Sequence, residues 1–191
     1  MNRLKRQSSN PMVKSGDLYF NSNKYLEAIK FYDNAIKMDK TNKEALLGKG
    51  LVLRELGKYD DALSCFNEYI KIDNEDLIGL VEKAYTYICL GQYNEATQCF
   101  DLCLKIDKKS PIAFNGKGLI LDLMDAYHPA ILFYNKAIGG RKDADTGYIW
   151  ANKGHAWQSL EKDDEALMCY SQAVLLNKNE VNALAGKARF L

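Results

Sequence analysis

Residues Gly48–Leu53 read GKGLVL, and Gly116–Leu121 read GKGLIL. A lysine between glycines suggests a phosphate-binding loop, whose pattern is G-x-x-x-x-G-K-[ST] between a strand and a helix. Lys43 stands five residues before Gly48, where that pattern needs glycine, and Gly50 follows Lys49, where it needs Ser or Thr for a metal. The nucleotide reading fails, and the recurrence points to an internal repeat.

Working outward from Gly50, small residues recur at Gly16, Gly50, Ala84, Gly118, Gly154 and Ala188, in steps of 34, 34, 34, 36 and 34. Twelve positions after the first five of these stand Ala28, Ala62, Ala96, Ala130 and Ala166; four positions later stand Tyr32, Phe66, Phe100, Tyr134 and Tyr170. Between the two small residues runs a shared phrase, NKYLEA, GKYDDA, GQYNEA or EKDDEA.

The spacings are helical. Leu46, Gly50 and Leu53 fall at i, i+4 and i+7 on one face, and Ala62, Leu63, Phe66 and Tyr69 form a second apolar stripe. Gly57 lies between the stripes, where it can end the first helix. Each copy therefore reads as helix, short turn, helix. A glycine inside a helix costs about 1 kcal/mol relative to alanine, so its recurrence implies that close packing outweighs the cost.

Five copies of this length and slot chemistry resemble the tetratricopeptide repeat (TPR). The expected organisation is a basic tail at 1–8, repeats at 9–42, 43–76, 77–110, 111–146 and 147–180, and a C-terminal capping helix, or the start of a sixth repeat, at 181–191. The resemblance implies an all-α fold, a right-handed superhelical solenoid whose concave groove is lined by the first helix of each repeat. Two departures stand out. The family's large residue near the repeat start varies here, as Met12, Leu46, Leu80, Phe114 and Trp150; and its proline near the repeat end is replaced by Lys40, Asn74, Lys108 and Lys178. Asp39, Asp73 and Asp107 are expected to mark the boundaries instead. One repeat cannot bury both its faces, so neighbours must stack and the ends need polar caps. Residues 181–191 are less polar than such a cap, with Leu184, Phe190 and Leu191.

Lys49 shares its slot with Lys83, Lys117, Lys153 and Lys187. These lysines either lay their stems between helices with the ammonium in water or form a basic ladder for an acidic partner.

The groove that the resemblance implies would be lined by Leu47, Leu51, Ile78, Val81, Tyr85, Ile88, Ile112, Asn115, Leu119, Leu123 and His155. Its centre is apolar. The first helix of the third copy carries Leu80, Ala84 and Tyr87 on its core stripe and Ile78, Val81, Tyr85 and Ile88 opposite. An apolar face of that size calls for a cover: an amphipathic helix or apolar peptide, or a second copy of the chain. Tyr85 is the candidate anchor. Some TPR co-chaperones grip acidic chaperone tails with a Lys/Asn/Asn/Lys/Arg clamp. The corresponding slots here are Val13, Asp17, Gly48, Ile78 and Glu82, or one repeat on Leu47, Leu51, Glu82, Ile112 and Gly116, and neither set fits.

Bulk properties agree with a protein-binding scaffold. Across 191 residues the hydrophobic fraction is 47% and the net charge +1, so no strong field recruits nucleic acid or a membrane surface. No apolar run approaches the ~20 residues of a membrane span. The start, MNRLKRQSSNP, lacks the apolar stretch of a secretory signal; Arg3, Lys5 and Arg6 read as a solvated tail or a partner contact. Five cysteines without a disulfide spacing favour a reducing, cytoplasmic setting.

No catalytic constellation emerges, and no cofactor or metal is expected. His128 precedes Pro129 at a helix start, and His155 has no nucleophile or base at helical spacing. Cys99 and Cys103 lie one turn apart, but zinc needs two further ligands; Cys65, Cys99 and Cys169 share a slot and read as small core residues. The pairs Asp60/Asp61 and Asp163/Asp164 suit helix N-termini. Gly139 and Gly140 should end the fourth copy's second helix early and free a loop with Arg141, Lys142, Asp143 and Asp145. The expected function is a non-catalytic adaptor for a protein or peptide partner, with homodimerisation through the same patch or the C-terminal face as the alternative.

Overall fold

The computed structural model describes residues 8–140 and 144–190. Among them the chain is all-α, with helices α1 (Pro11–Asn21), α2 (Tyr25–Met38), α3 (Lys43–Glu55), α4 (Tyr59–Ile72), α5 (Leu77–Cys89), α6 (Tyr93–Ile106), α7 (Pro111–Leu123), α8 (Tyr127–Ile138), α9 (Gly147–Ser159), α10 (Asp163–Leu176) and α11 (Val181–Lys187). Two compact bodies divide between Cys99 and Phe100, inside α6. In the N-terminal body α1 packs on α2, α2 on α3, α3 on α4 and α4 on α5. In the C-terminal body α7 packs on α8, α8 on α9, α9 on α10, and α11 on both α9 and α10.

Local chemistry places the helix ends. Asn10, Asn42 and Asp76 cap α1, α3 and α5 by accepting from the amides of Met12, Ala45 and Ile78, each at 2.9 Å. The first helices end in a left-handed residue: Asn23, Gly57, Gly91, Asp125 and Glu161, with φ between 57° and 73°. At Gly57 the following amide, Lys58 N–H, reaches back to the Leu53 carbonyl at 2.9 Å, closing the turn and directing α4 against α3. Where the family's proline is missing, an Asx turn follows the second helix. Asp39, Asp73 and Asp107 accept from the amides of Thr41, Glu75 and Lys109 at 2.9, 3.2 and 2.9 Å.

The repeated aromatics form the core. Tyr32, Phe66, Phe100 and Tyr134 are fully buried, and Tyr170 nearly so. Each glycine of the opening phrase is a seat for one ring. A Cβ on Gly48 would stand 2.5 Å from Cζ of Tyr32, and one on Gly50 2.5 Å from Cε1 of Phe66. Gly116 and Gly118 seat Phe100 and Tyr134 in the same way. GKG is thus two ring contacts on opposite sides of one helical turn, the first for the preceding copy's aromatic and the second for its own.

α8 ends at Gly139, φ 52°, whose amide donates to the Asn135 carbonyl; it has 12 residues where α2, α4, α6 and α10 have 14. The early stop expected from Gly139 and Gly140 is present. Arg141, Lys142 and Asp143 lie outside the described residues, as do Arg3, Lys5, Arg6 and Leu191. Asp145 is exposed in a single 3₁₀ turn, Ala144–Thr146.

Candidate functional site

In the N-terminal body the expected face lies on α3 and α5. Ile78 is 49% exposed and Leu51, Tyr85 and Ile88 are half-buried. Leu47 and Val81 differ from expectation: they are only 6% and 4% exposed. Leu47 belongs to the core with Leu46, Phe66 and Tyr69, against Ile29 and Ile36 of α2. Their slot turns toward neighbouring helices, so the open face is narrower than helical periodicity suggests. Arg54 ties α3 to α5, its Nη1 donating to Oε2 of Glu82 at 2.6 Å and to the Glu82 carbonyl at 3.3 Å. Lys43 reaches Asp73 and Asp76, both at 2.8 Å, and the Tyr69 hydroxyl donates to Asp76 at 2.6 Å. Burial alone would raise the Asp76 carboxyl, but these two donors and the Ile78 amide outweigh it and hold it below the usual carboxylate range.

In the C-terminal body the expected residues lie on α7 and α9. Leu123 is exposed and Ile112 and Leu119 are half-buried. Asn115 is only 2% exposed and so does not open outward as expected; it accepts from Nδ2 of Asn152 at 3.1 Å, linking α7 to α9. His155 is exposed. Its Nδ1 lies 3.1 Å from Oδ2 of Asp122, a carboxylate with only 8% of its side chain exposed. The same oxygen accepts from the Tyr134 hydroxyl at 3.4 Å. The hydrogen bond to Asp122 holds the His155 imidazolium above its ordinary range, against desolvation and the Arg189 charge, which lower it. Helical spacing does not reveal Asp122 as the partner of His155, because 33 residues separate them. A partial signal exists: of the three repeated aromatics that are tyrosine, Tyr134 and Tyr170 have a polar residue twelve before them, Asp122 and Gln158, whereas Tyr32 has Phe20 there and donates to Asp17 instead. The hydroxyls of Tyr134 and Tyr170 donate to those polar residues.

Four members of the lysine column are partnered. Lys49 and Lys117 meet Asp33 and Asp101 of the preceding second helix, each at 2.6 Å. Where that slot is Asn67 or Asn135, the lysine lies over a ring instead, Lys83 over Tyr87 at 5.8 Å and Lys153 over Trp150 at 4.9 Å. These ammonium groups are committed within the fold. Cys65, Cys99, Cys103 and Cys169 are buried, and burial pushes the thiols of Cys65, Cys99 and Cys169 up, the last to about 11. Among the described residues no cluster of three or more His, Cys, Asp or Glu could hold a metal, and no helix is long and apolar enough to cross a membrane.

Family models of the tetratricopeptide repeat match residues 13–76, 79–110 and 148–180. The chain belongs to the tetratricopeptide repeat family. Its TPR fold is a protein–protein interaction scaffold. Among solved structures, a thermophilic TPR protein of Thermus thermophilus is 17% identical with a TM-score of 0.78, over 93% of this chain and 96% of that one. MamA is 20% identical with a TM-score of 0.64, over 86% and 95%. YrrB, described as a TPR protein with an unusual peptide-binding site, is 19% identical with a TM-score of 0.58, over 96% and 93%. At these identities the likeness is one of fold. No curated protein matches the chain in sequence.

Proposed function

We propose that this TPR protein is a non-catalytic adaptor, working in a reducing cytoplasm, that binds an apolar peptide or amphipathic helix of a protein partner on its first-helix faces. The observation that carries the reading is the incompletely covered apolar set on α3 and α5: Leu51, Ile78, Tyr85 and Ile88. Arg54 and Glu82 hold the two helices in fixed register beneath it. Such a surface is preorganised, so binding orders little of the scaffold. In the C-terminal body Ile112, Leu119, Leu123 and His155 form a second, more polar face. Leu47, Val81 and Asn115 support these faces from beneath. YrrB, a protein of similar fold with a peptide-binding site, is consistent with this use of the fold.

The test is a panel of short fluorescent amphipathic peptides read by polarisation. Ile78→Glu weakens binding while the melting curve stays unchanged, Tyr85→Ala weakens binding in a chain that still folds, and Val81→Glu lowers melting itself because its side chain is buried. Peptides that bind Ile78→Glu as well as wild type, or no binding at all, defeat the reading. Self-association is the second reading, favoured by Val181 and Leu184 of α11, 72% and 44% exposed. It requires a mass by light scattering of twice the 21.6 kDa chain, reduced to one chain by Val181→Glu.

A further inference from the structure

We propose that the first-helix face of the C-terminal body binds a carboxylate of its partner between Nε2 of His155 and the guanidinium of Arg189. The proposal rests on the peptide-binding reading and specifies the chemistry of the peptide: apolar, with an acidic side chain. His155 and Arg189 occupy the same slot one repeat apart, 34 residues. Arg189 lies in the 3₁₀ turn Ala188–Phe190 that follows α11, and α11 packs against α9. Neighbouring packed helices have axes about 8–10 Å apart, a gap that the long, flexible Arg189 side chain can cross toward a carboxylate held at His155. Both residues are exposed, and Arg189 has no ion pair or hydrogen bond among the described residues. Its charge is nonetheless felt at His155.

Asp122 makes this a selective site. A carboxylate can only accept, so the Nδ1 of His155 that faces it carries a proton in either charge state of the ring. Nε2 then decides what the face can hold. In the imidazolium it is an N–H donor and draws a carboxylate; in the neutral ring it is a lone pair and repels one. Charge follows the same course. With His155 protonated, Asp122 is neutralised and Arg189 leaves one surplus positive charge; with it neutral, Asp122 cancels Arg189. On the elements packed around α9 the tyrosine hydroxyls are engaged, Tyr134 with Asp122, Tyr170 with Gln158 and Tyr127 with Asp125; the remaining titratable groups there include Lys117 on α7, His128 and Lys136 on α8, Asp163, Asp164 and Glu165 opening α10, and Lys187 on α11, while the charges that act on His155 are those of Asp122 and Arg189. Asp122 is a positioning residue, acting through the imidazole.

Two fluorescent amphipathic peptides, identical except for Glu in one and Gln in the other, test this with the full chain. Measurements at about pH 6 and about pH 8.5 bracket the imidazole. At the lower pH the Glu peptide binds about three- to tenfold tighter, the effect of one charge-assisted hydrogen bond at an exposed site. The preference fades at the higher pH, is absent in His155→Gln, and shrinks in Arg189→Gln. Asp122→Asn keeps binding of the Gln peptide and moves the midpoint of the Glu preference to lower pH. Equal affinity for both peptides overturns the carboxylate site and leaves the apolar face standing, as does a Glu preference that survives in His155→Gln. Failure of both peptides to bind defeats the peptide-binding reading, and this one with it.

Discussion

Gly50→Ala separates the two forces on which the repeat depends. On helix propensity alone, alanine should stabilise α3 by about 1 kcal/mol. The new methyl, however, would stand 2.5, 2.8 and 3.0 Å from three atoms of the Phe66 ring. That ring cannot swing aside: it is fully buried among Leu46, Leu53, Ala62, Cys65 and Tyr69. Overpacking of this kind costs about 1–3 kcal/mol, so the single variant should be neutral to about 2 kcal/mol destabilised. The decisive quantity is the coupling. With Phe66→Leu in the background the methyl has room, and Gly50→Ala should recover its stabilising propensity. A double-mutant cycle should therefore give a coupling of about 1–3 kcal/mol between the two positions. Urea unfolding followed by far-ultraviolet circular dichroism measures it, provided all four proteins share one slope, since repeat arrays can lose cooperativity. A coupling below about 0.5 kcal/mol, or a stabilised Gly50→Ala single variant, would refute the claim that the glycine is a ring seat.

Two further outcomes follow from the geometry. Asp76→Asn keeps the oxygen that caps α5 but loses the contacts to Lys43 and Tyr69, costing roughly 1–3 kcal/mol, and Asp76→Ala adds about 1 kcal/mol for the lost cap. Because the folded carboxyl sits below its unfolded value, near 3.9, its contribution is present above that pH and is lost as pH falls through the depressed value; the acid limb of the melting profile should flatten in Asp76→Asn. Of the five cysteines only Cys89 is exposed, so a thiol reagent should modify a single site rapidly in the native chain; the fast phase should vanish in Cys89→Ser, and rapid reaction at several sites would contradict the burial of the other four.

The repeat, its helix pairs and its turns were legible because they depend on local chemistry. Asn10, Asn42 and Asp76 cap helices through neighbours two or three residues away, Gly57 turns the chain within six residues, and the apolar stripes follow the helical period. The width of the candidate face was not legible. Periodicity reports the angle at which Leu47, Val81 and Asn115 leave their helices, but not how closely the next helix approaches, and that approach buries all three. The lysines of GKG likewise gave no hint of Asp33 and Asp101, which stand 16 residues earlier on a different helix.

By itself the sequence determined the family, the order of the helices and the positions of the recurring small and aromatic residues, since these rest on spacing within one repeat. Only the tertiary structure decided that Asp122 and His155 meet, that Arg54 locks onto Glu82, and which apolar side chains remain uncovered. Those facts depend on how one helix tilts and slides against the next. Many side chains together set that tilt and slide, and no single slot of the repeat encodes them.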